Sequence, residues 1–299
     1  MDQGKLATRR PRHATEEEVR YLLQIQGVLS NTTDENEKHI LINNINEELR
    51  GSEVSLASNK KTSYVIQSIL QNGNRDKLRL FLSYSKDFAV HMFTQTYASH
   101  CMQTALELAN TFLSDRLDEP SSALAQRLDG EPLEPLLDLV NLFVENVLPR
   151  IVEVCCDVNG SHVLRSLLCV LLGCPNASAA VKKHIVKGAL MKKSNAAMVE
   201  AFDEARSAVL FALAELGASE REWLMKNQHG CFIVQMLMNN LPAEQRTKLA
   251  HILLDVEDPD AAQKLVKELI VDVNGSRSLE GLVRSAADDV VNSFFISWE

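Results

Sequence analysis

A nine-residue pattern recurs five times along this 299-residue chain, and the recurrence limits what the chain can fold into. The copies are TSYVIQSIL at 62–70, ASHCMQTAL at 98–106, GSHVLRSLL at 160–168, GCFIVQMLM at 230–238 and GSRSLEGLV at 275–283. Each reads small residue, Ser or Cys, planar side chain, two mostly apolar residues, then Gln, Arg or Glu before a further apolar run. A short unit of this kind cannot bury a core alone and must stack on its neighbours. No alternation of period two marks a strand, so the expectation is an all-α array.

An α-helix turns by about 100° per residue. With Ser63 at the origin, Gln67 and Tyr64 fall on one side, and Val65, Ile66, Ile69 and Leu70 form a separate apolar arc. The same division holds for Ser99, His100 and Gln103, for Ser161, His162 and Arg165, and for Cys231, Phe232 and Gln235. Ser276, Arg277 and Glu280 fit it too, with Ser278 diluting the apolar arc. Residues four apart are neighbours on a helix surface. A hydroxyl or thiol beside a long amide, carboxylate or guanidinium can therefore grip the edge of one base. The side chain between them is Tyr, His, His, Phe or Arg, the planar groups that stack on bases. A plain helical repeat with a polar face accounts for one such copy. It does not require Ser or Cys followed by a planar group five times over.

These segments resemble the Pumilio (PUF) RNA-binding repeat, and NQHGCFIVQ at 227–235 matches an ordinary member best. GSHVLR at 160–165, YASH at 97–100 with Gln103, DVNGSR at 272–277 with Leu279 and Glu280, and EELRG at 47–51 are similar to the nucleolar protein nine branch. The likeness runs from about Thr15 to the end of the chain. It implies a right-handed curved α-solenoid with RNA in its concave face. For the branch it implies precursor ribosomal RNA of the small subunit as ligand, control of its processing, and a nucleolar or nuclear location. It also implies no catalytic activity, no cofactor, a monomer, and pre-ribosomal proteins as further partners. Carried over, the pairs Ser63/Gln67, Ser99/Gln103 and Cys231/Gln235 favour adenine, Ser276/Glu280 guanine and Ser161/Arg165 cytosine. The first two copies lie 36 residues apart, as one repeat requires, but the later intervals are 62, 70 and 45. Inserts or degenerate repeats are expected to fill them. Eight regularly spaced stripes would have favoured a messenger-RNA regulator of the ordinary Pumilio kind. A protein-binding array of the HEAT or armadillo type is the alternative from another class.

The net charge of −9 runs against nucleic-acid binding, so its distribution matters. Asp115, Asp118, Glu119, Asp129, Glu131, Glu134 and Asp138 gather in and beside an acidic insert at 114–132, expected on the side away from RNA. Lys182, Lys183, Lys187, Lys192 and Lys193 gather in a divergent segment at 173–220, and Lys60 and Lys61 precede the first motif. These lysines suit either phosphate contact or a solvated face. Six cysteines without a secretory leader suggest a reducing compartment. Cys101 is expected in the core, Cys231 in the stripe. Cys169 and Cys174 near His162 and His184 match no zinc spacing. The most apolar stretch, 133–156, is broken by Pro135, Asp138, Glu145, Pro149, Arg150 and Glu153, so no membrane span is expected. There is no Gly-rich phosphate loop, HExxH or GxSxG, and His91 and His251 stand alone.

Along the chain, residues 1–14 read as a disordered basic tail. Thr15 with Glu18 forms a capping box, and Leu41, Ile45 and Leu49 mark a helix closed by Gly51. Further helices are expected at 76–88, 136–148, 179–193, 198–216, 220–226, 242–254 and 261–271. The pair at 179–216 reads as a repeat without its stripe. Val290, Val291, Phe294, Phe295 and Trp298 keep helical spacing to the last residues, which leads to the expectation of a fragment of a longer array.

Overall fold

The computed structural model describes residues 11–115, 117, 130, 132–174 and 195–285. All described secondary structure is helical, with no strand among the described residues. The chain begins with α1 (Glu16–Asn31) and α2 (Glu35–Glu48). It continues with α3 (Glu53–Ala57), α4 (Ser63–Asn72), α5 (Arg75–Ser85), α6 (Ala89–Thr94) and α7 (Thr96–Asp115). Then come α8 (Leu136–Val147), α9 (Ile151–Cys156), α10 (Val158–Leu171), α11 (Ala196–Ala201) and α12 (Asp203–Ala214). The described part closes with α13 (Ala218–Lys226), α14 (Gly230–Asn240), α15 (Ala243–Leu254), α16 (Pro259–Val271) and α17 (Val273–Ser285).

The helices form three rows. The five motifs are α4, α7, α10, α14 and α17, each packed directly on the next. The helices α3, α6, α9, α13 and α16 lead into them. α5, α8, α12 and α15 pack in series as an outer row. The core runs along the whole stack, with Phe93 on α6 against Phe143 on α8, ring centroids 6.3 Å apart.

This packing corrects the expectation that 179–216 is a repeat without its stripe. No repeat is missing between the second and third motifs or between the third and fourth. The helix expected over 198–216 breaks at Phe202, and its second part, α12, is the outer-row helix between α8 and α15. The extra length of the 62- and 70-residue intervals lies in the connections between these helices. Each is pinned at its base. Arg79, 3% exposed, reaches the carbonyls of Leu133 and Glu134 where the acidic insert ends, and Ser83 and Lys86 hold the Glu134 carboxylate. Arg206, 4% exposed, does the same for the carbonyls of Leu171 and Val199 around the second insert. There the backbone N–H of Asn195 donates to Gly173 at 3.0 Å. Gly173 has φ +60°, and a Cβ on it would lie 2.7 Å from the Asn195 carbonyl, so the pinch needs glycine twice over. Glu134, just past the acidic insert, binds the outer row, while Asp118, Glu119, Asp129 and Glu131 lie outside the described residues. So do the five lysines of the second insert, the helix expected at 179–193 and the apolar residues Val290 to Trp298.

The amino end differs from expectation. Arg12, assigned to a disordered tail, donates to Glu18 and to Ser52 Oγ at 2.8 Å, and Ala14 packs on the core. The ordered chain therefore starts before the Thr15 capping box, which is present as expected. Gly51 follows α2 with φ +85°. Cys101 is buried in the core, where desolvation pushes its thiol pKa up. No described helix is long and apolar enough to cross a membrane.

Candidate nucleic-acid interface

Each motif helix starts at a close approach. The carbonyl six residues earlier, near the end of the preceding helix, points at the motif's small residue. A Cβ would lie 2.7 Å from Val154 O at Gly160, 2.2 Å from Leu224 O at Gly230 and 2.9 Å from Leu269 O at Gly275. In the first copy the Thr62 hydroxyl donates to the equivalent carbonyl of Leu56 at 2.6 Å. In the second copy the small residue, Ala98, is fully buried. The small residue is thus a spacing requirement between two helices.

A second feature escaped the sequence reading. Four residues before each Ser or Cys stands a side chain whose oxygen accepts the first free N–H groups of the turn. These are Asn59 for Lys61, Gln95 for Tyr97 and Ala98, and Asp157 for Asn159 and Gly160. Asn227 does so for His229 and Gly230, and Asp272 for Asn274 and Gly275. The fixed offset was visible in the sequence, but three residue types disguised it. Side chains at these turns also tie one repeat to the one before. Gln95 donates to Ser58 O at 3.1 Å, Asn159 to Thr94 O at 3.0 Å and Asn274 to Lys226 O at 3.2 Å.

With the helices set this way, the expected stripe divides in two. Ser63, Ser99, Ser161 and Cys231 are 6%, 4%, 2% and 0% exposed, so they are not surface groups. Tight lateral packing of the motif helices covers them. Ser99, Ser161 and Cys231 donate back to the carbonyls of Thr96, Val158 and Gln228. Only Ser276, on the last described helix, is exposed, and it donates to Val273 O. The planar side chains stand out instead. Tyr64 is 46% and Phe232 43% exposed, and His100, His162 and Arg277 are also exposed. Tyr64 Oη donates to Gln26 on α1 at 2.6 Å, so the helix before the first repeat helps fix the first ring.

The long polar residues are half-buried between these rings. Gln67 donates to Ser63 O at 3.3 Å, Gln103 to Glu107 at 3.3 Å and Gln235 to Arg277 O at 2.9 Å. Glu280 is exposed and paired with Arg284. Arg165 lies 2.6 Å from His162 Nδ1, and its guanidinium carbon is 5.9 Å from the Phe232 ring centroid. Burial lowers the His162 pKa, aided by the nearby charges of Arg165, His229 and His100. The Arg165–Phe232 contact joins the third and fourth repeats on this surface. Lys60 and Lys61 are exposed just ahead of α4. His91, expected to be isolated, lies 2.9 Å from Ser58 Oγ at Nε2.

Three rows of helices with exposed planar groups at one motif position define a curved, right-handed α-solenoid of Pumilio type. The chain belongs to the family of the NOP9-like PUF repeat domain, whose profile matches residues 51–297. It is 22% identical over 280 residues to Nucleolar protein 9 of Yarrowia lipolytica, covering 87% of this chain and 38% of that protein. It is also 22% identical over 275 residues to Pumilio homolog 23 of Arabidopsis thaliana, covering 88% and 34%. The chain thus spans well under half the length of these curated relatives. Among solved structures it is similar to APUM23 with GGAUUUGACGG, at TM-score 0.75 and 20% identity, covering 94% of this chain and 51% of that one.

Proposed function

We propose that this chain binds RNA along the surface of its motif helices, as part of a nucleolar protein that binds small-subunit precursor ribosomal RNA and controls its processing. One observation carries the reading. At the same position of all five motif helices a planar side chain is exposed, while in four of them the Ser or Cys before it is buried. Packing alone gives no reason to expose Tyr64 and Phe232, whereas stacking on unpaired bases does. The relatives named Nucleolar protein 9 support the cellular setting.

In this reading Tyr64, His100, His162, Phe232 and Arg277 stack on bases. Gln67, Gln103, Gln235 and Glu280 face base edges, adenine for the glutamines and guanine for Glu280. The buried Ser63, Ser99, Ser161 and Cys231 contribute mainly by setting the floor beneath each base, and exposed Ser276 adds an edge contact. Lys60 and Lys61 supply phosphate contacts that an overall charge of −9 does not. The unit acts as a monomer, and pre-ribosomal proteins are its further partners.

The test is selection from a random single-stranded RNA pool at two salt concentrations. A purine-rich motif that survives higher salt is expected, because phosphate contacts weaken with salt more than stacking does. The folded variant Y64A/H100A/H162A/F232A should then lose about 1–3 kcal/mol per stacked base. Unchanged affinity in that variant removes the stacking account. Absence of any RNA binding favours a protein-binding array.

A further inference from the structure

One junction in the row is unlike the others. Gln67 and Gln103 turn their amides to groups on their own helices, Gln235 reaches the next backbone, and Glu280 pairs with Arg284 on its own helix. Arg165 instead touches the planar side chains of two successive repeats. Its Nη2 is 2.6 Å from His162 Nδ1 and its guanidinium carbon 5.9 Å from the Phe232 ring centroid. Its Nε donates to the Ser161 carbonyl at 3.3 Å, which anchors the arm at its root. The contact with His162 requires Nδ1 to accept, so the ring is neutral there with its proton on Nε2.

A guanidinium is flat and stacks on aromatic faces much as a base does. A base bound between the third and fourth planar groups would need the space beside His162 and Phe232. In the free protein Arg165 already spans that space. Among the described residues it makes these contacts with rings and a carbonyl rather than with a carboxylate.

We infer that Arg165 is an internal stand-in for a base: it fills the stacking slot between His162 and Phe232, so that bound RNA skips this slot and the base facing the third repeat is not selected. This rests on the RNA-binding reading above. It differs from that reading's inherited expectation, in which Arg165 reads cytosine. The RNA track is then two reading segments, Tyr64 to His162 and Phe232 to Arg277, with an unread base between them.

The experiment measures binding of the full chain to the RNA recovered by selection, with the base facing each of repeats two, three and four changed in turn. Wild type should discriminate about tenfold at the second and fourth positions and less than about threefold at the third. R165A should bind equally well or more tightly. R165Q should acquire a preference of about fivefold or more for adenine at the third position. A wild-type preference of about tenfold for cytosine there, lost in R165Q, overturns the inference while leaving RNA readout intact. Equal loss of affinity for every base in R165A makes Arg165 a phosphate contact and also overturns it. In the RNA-free protein, the His162 ring resonances should titrate at higher pH in R165A than in wild type. Identical titration means the guanidinium is not at the ring in solution, and the inference fails. No selectivity at any position removes the RNA reading itself, and this inference with it.

Discussion

At the scale of single residues, the most demanding position is Gly230. An added methyl would meet Leu224 O at 2.2 Å, and the obstacle is backbone that cannot swing aside. Gly230→Ala should cost about 1–3 kcal/mol, measured as the shift in a urea midpoint, by forcing α13 and α14 apart. A shift within error would mean that the two helices separate freely. Glu53 supplies a second residue-scale prediction. Its carboxyl is 8% exposed, Oε2 has no hydrogen-bond partner, and Ile45, Leu49, Ile66, Ile69, Leu70, Leu80 and Phe81 line the small cavity beside it. Desolvation pushes its pKa from 4.5 up to about 7. A folded-state value above the unfolded one means the folded protein holds the proton more tightly. This group therefore favours folding below about pH 4.5 and loses that advantage as pH rises towards about 7. Glu53→Gln should remove this fall, leaving the variant more stable than wild type at pH 8 and little changed at pH 4.5. Parallel stability–pH curves for the two proteins would show Glu53 to be solvated.

At the scale of elements, a side chain in the turn before every motif helix accepts backbone N–H groups there. Asn227→Ala should weaken α14 by about 1 kcal/mol, because the N–H groups of His229 and Gly230 lose their acceptor. Hydrogen exchange at these two amides, rising more than exchange in α10, is the measurement; uniform change across the array would assign the effect elsewhere. The same caps explain how much of the site could be read in advance. The planar residues were recognisable because helix periodicity sets their direction without reference to any neighbour. Burial of Ser63, Ser99, Ser161 and Cys231 was not recognisable, since it depends on how closely the next helix packs. The 36-residue spacing of the first two copies placed α4 and α7 correctly. The longer intervals left two readings open, because spacing along the chain does not distinguish an insert from a degenerate repeat.

At the scale of the molecule, a stack in which each repeat touches mainly its neighbours tolerates additions in its connections. Hydrogen-bonded Gly173 and Asn195 bring the two ends of the second insert together. Replacing residues 175–194 by a two-residue Gly-Ser link should therefore leave the melting temperature nearly unchanged. A large loss of cooperativity would mean that the insert supports the array. Arg206 is the more sensitive point, since its guanidinium joins the chain on both sides of that insert.

Some properties of this protein follow from chain-local physics. The period of the apolar residues makes helices, the repeated unit makes a stack, and one planar group per unit makes a row. These need only the geometry of a single helix and the number of copies. Other properties required helices to meet. Packing decided that α12 completes the outer row, that the Ser and Cys positions lie beneath a neighbouring helix, and that Arg165 reaches Phe232 in the next repeat. Each depends on distances between residues far apart in the chain, and no local pattern encodes those distances.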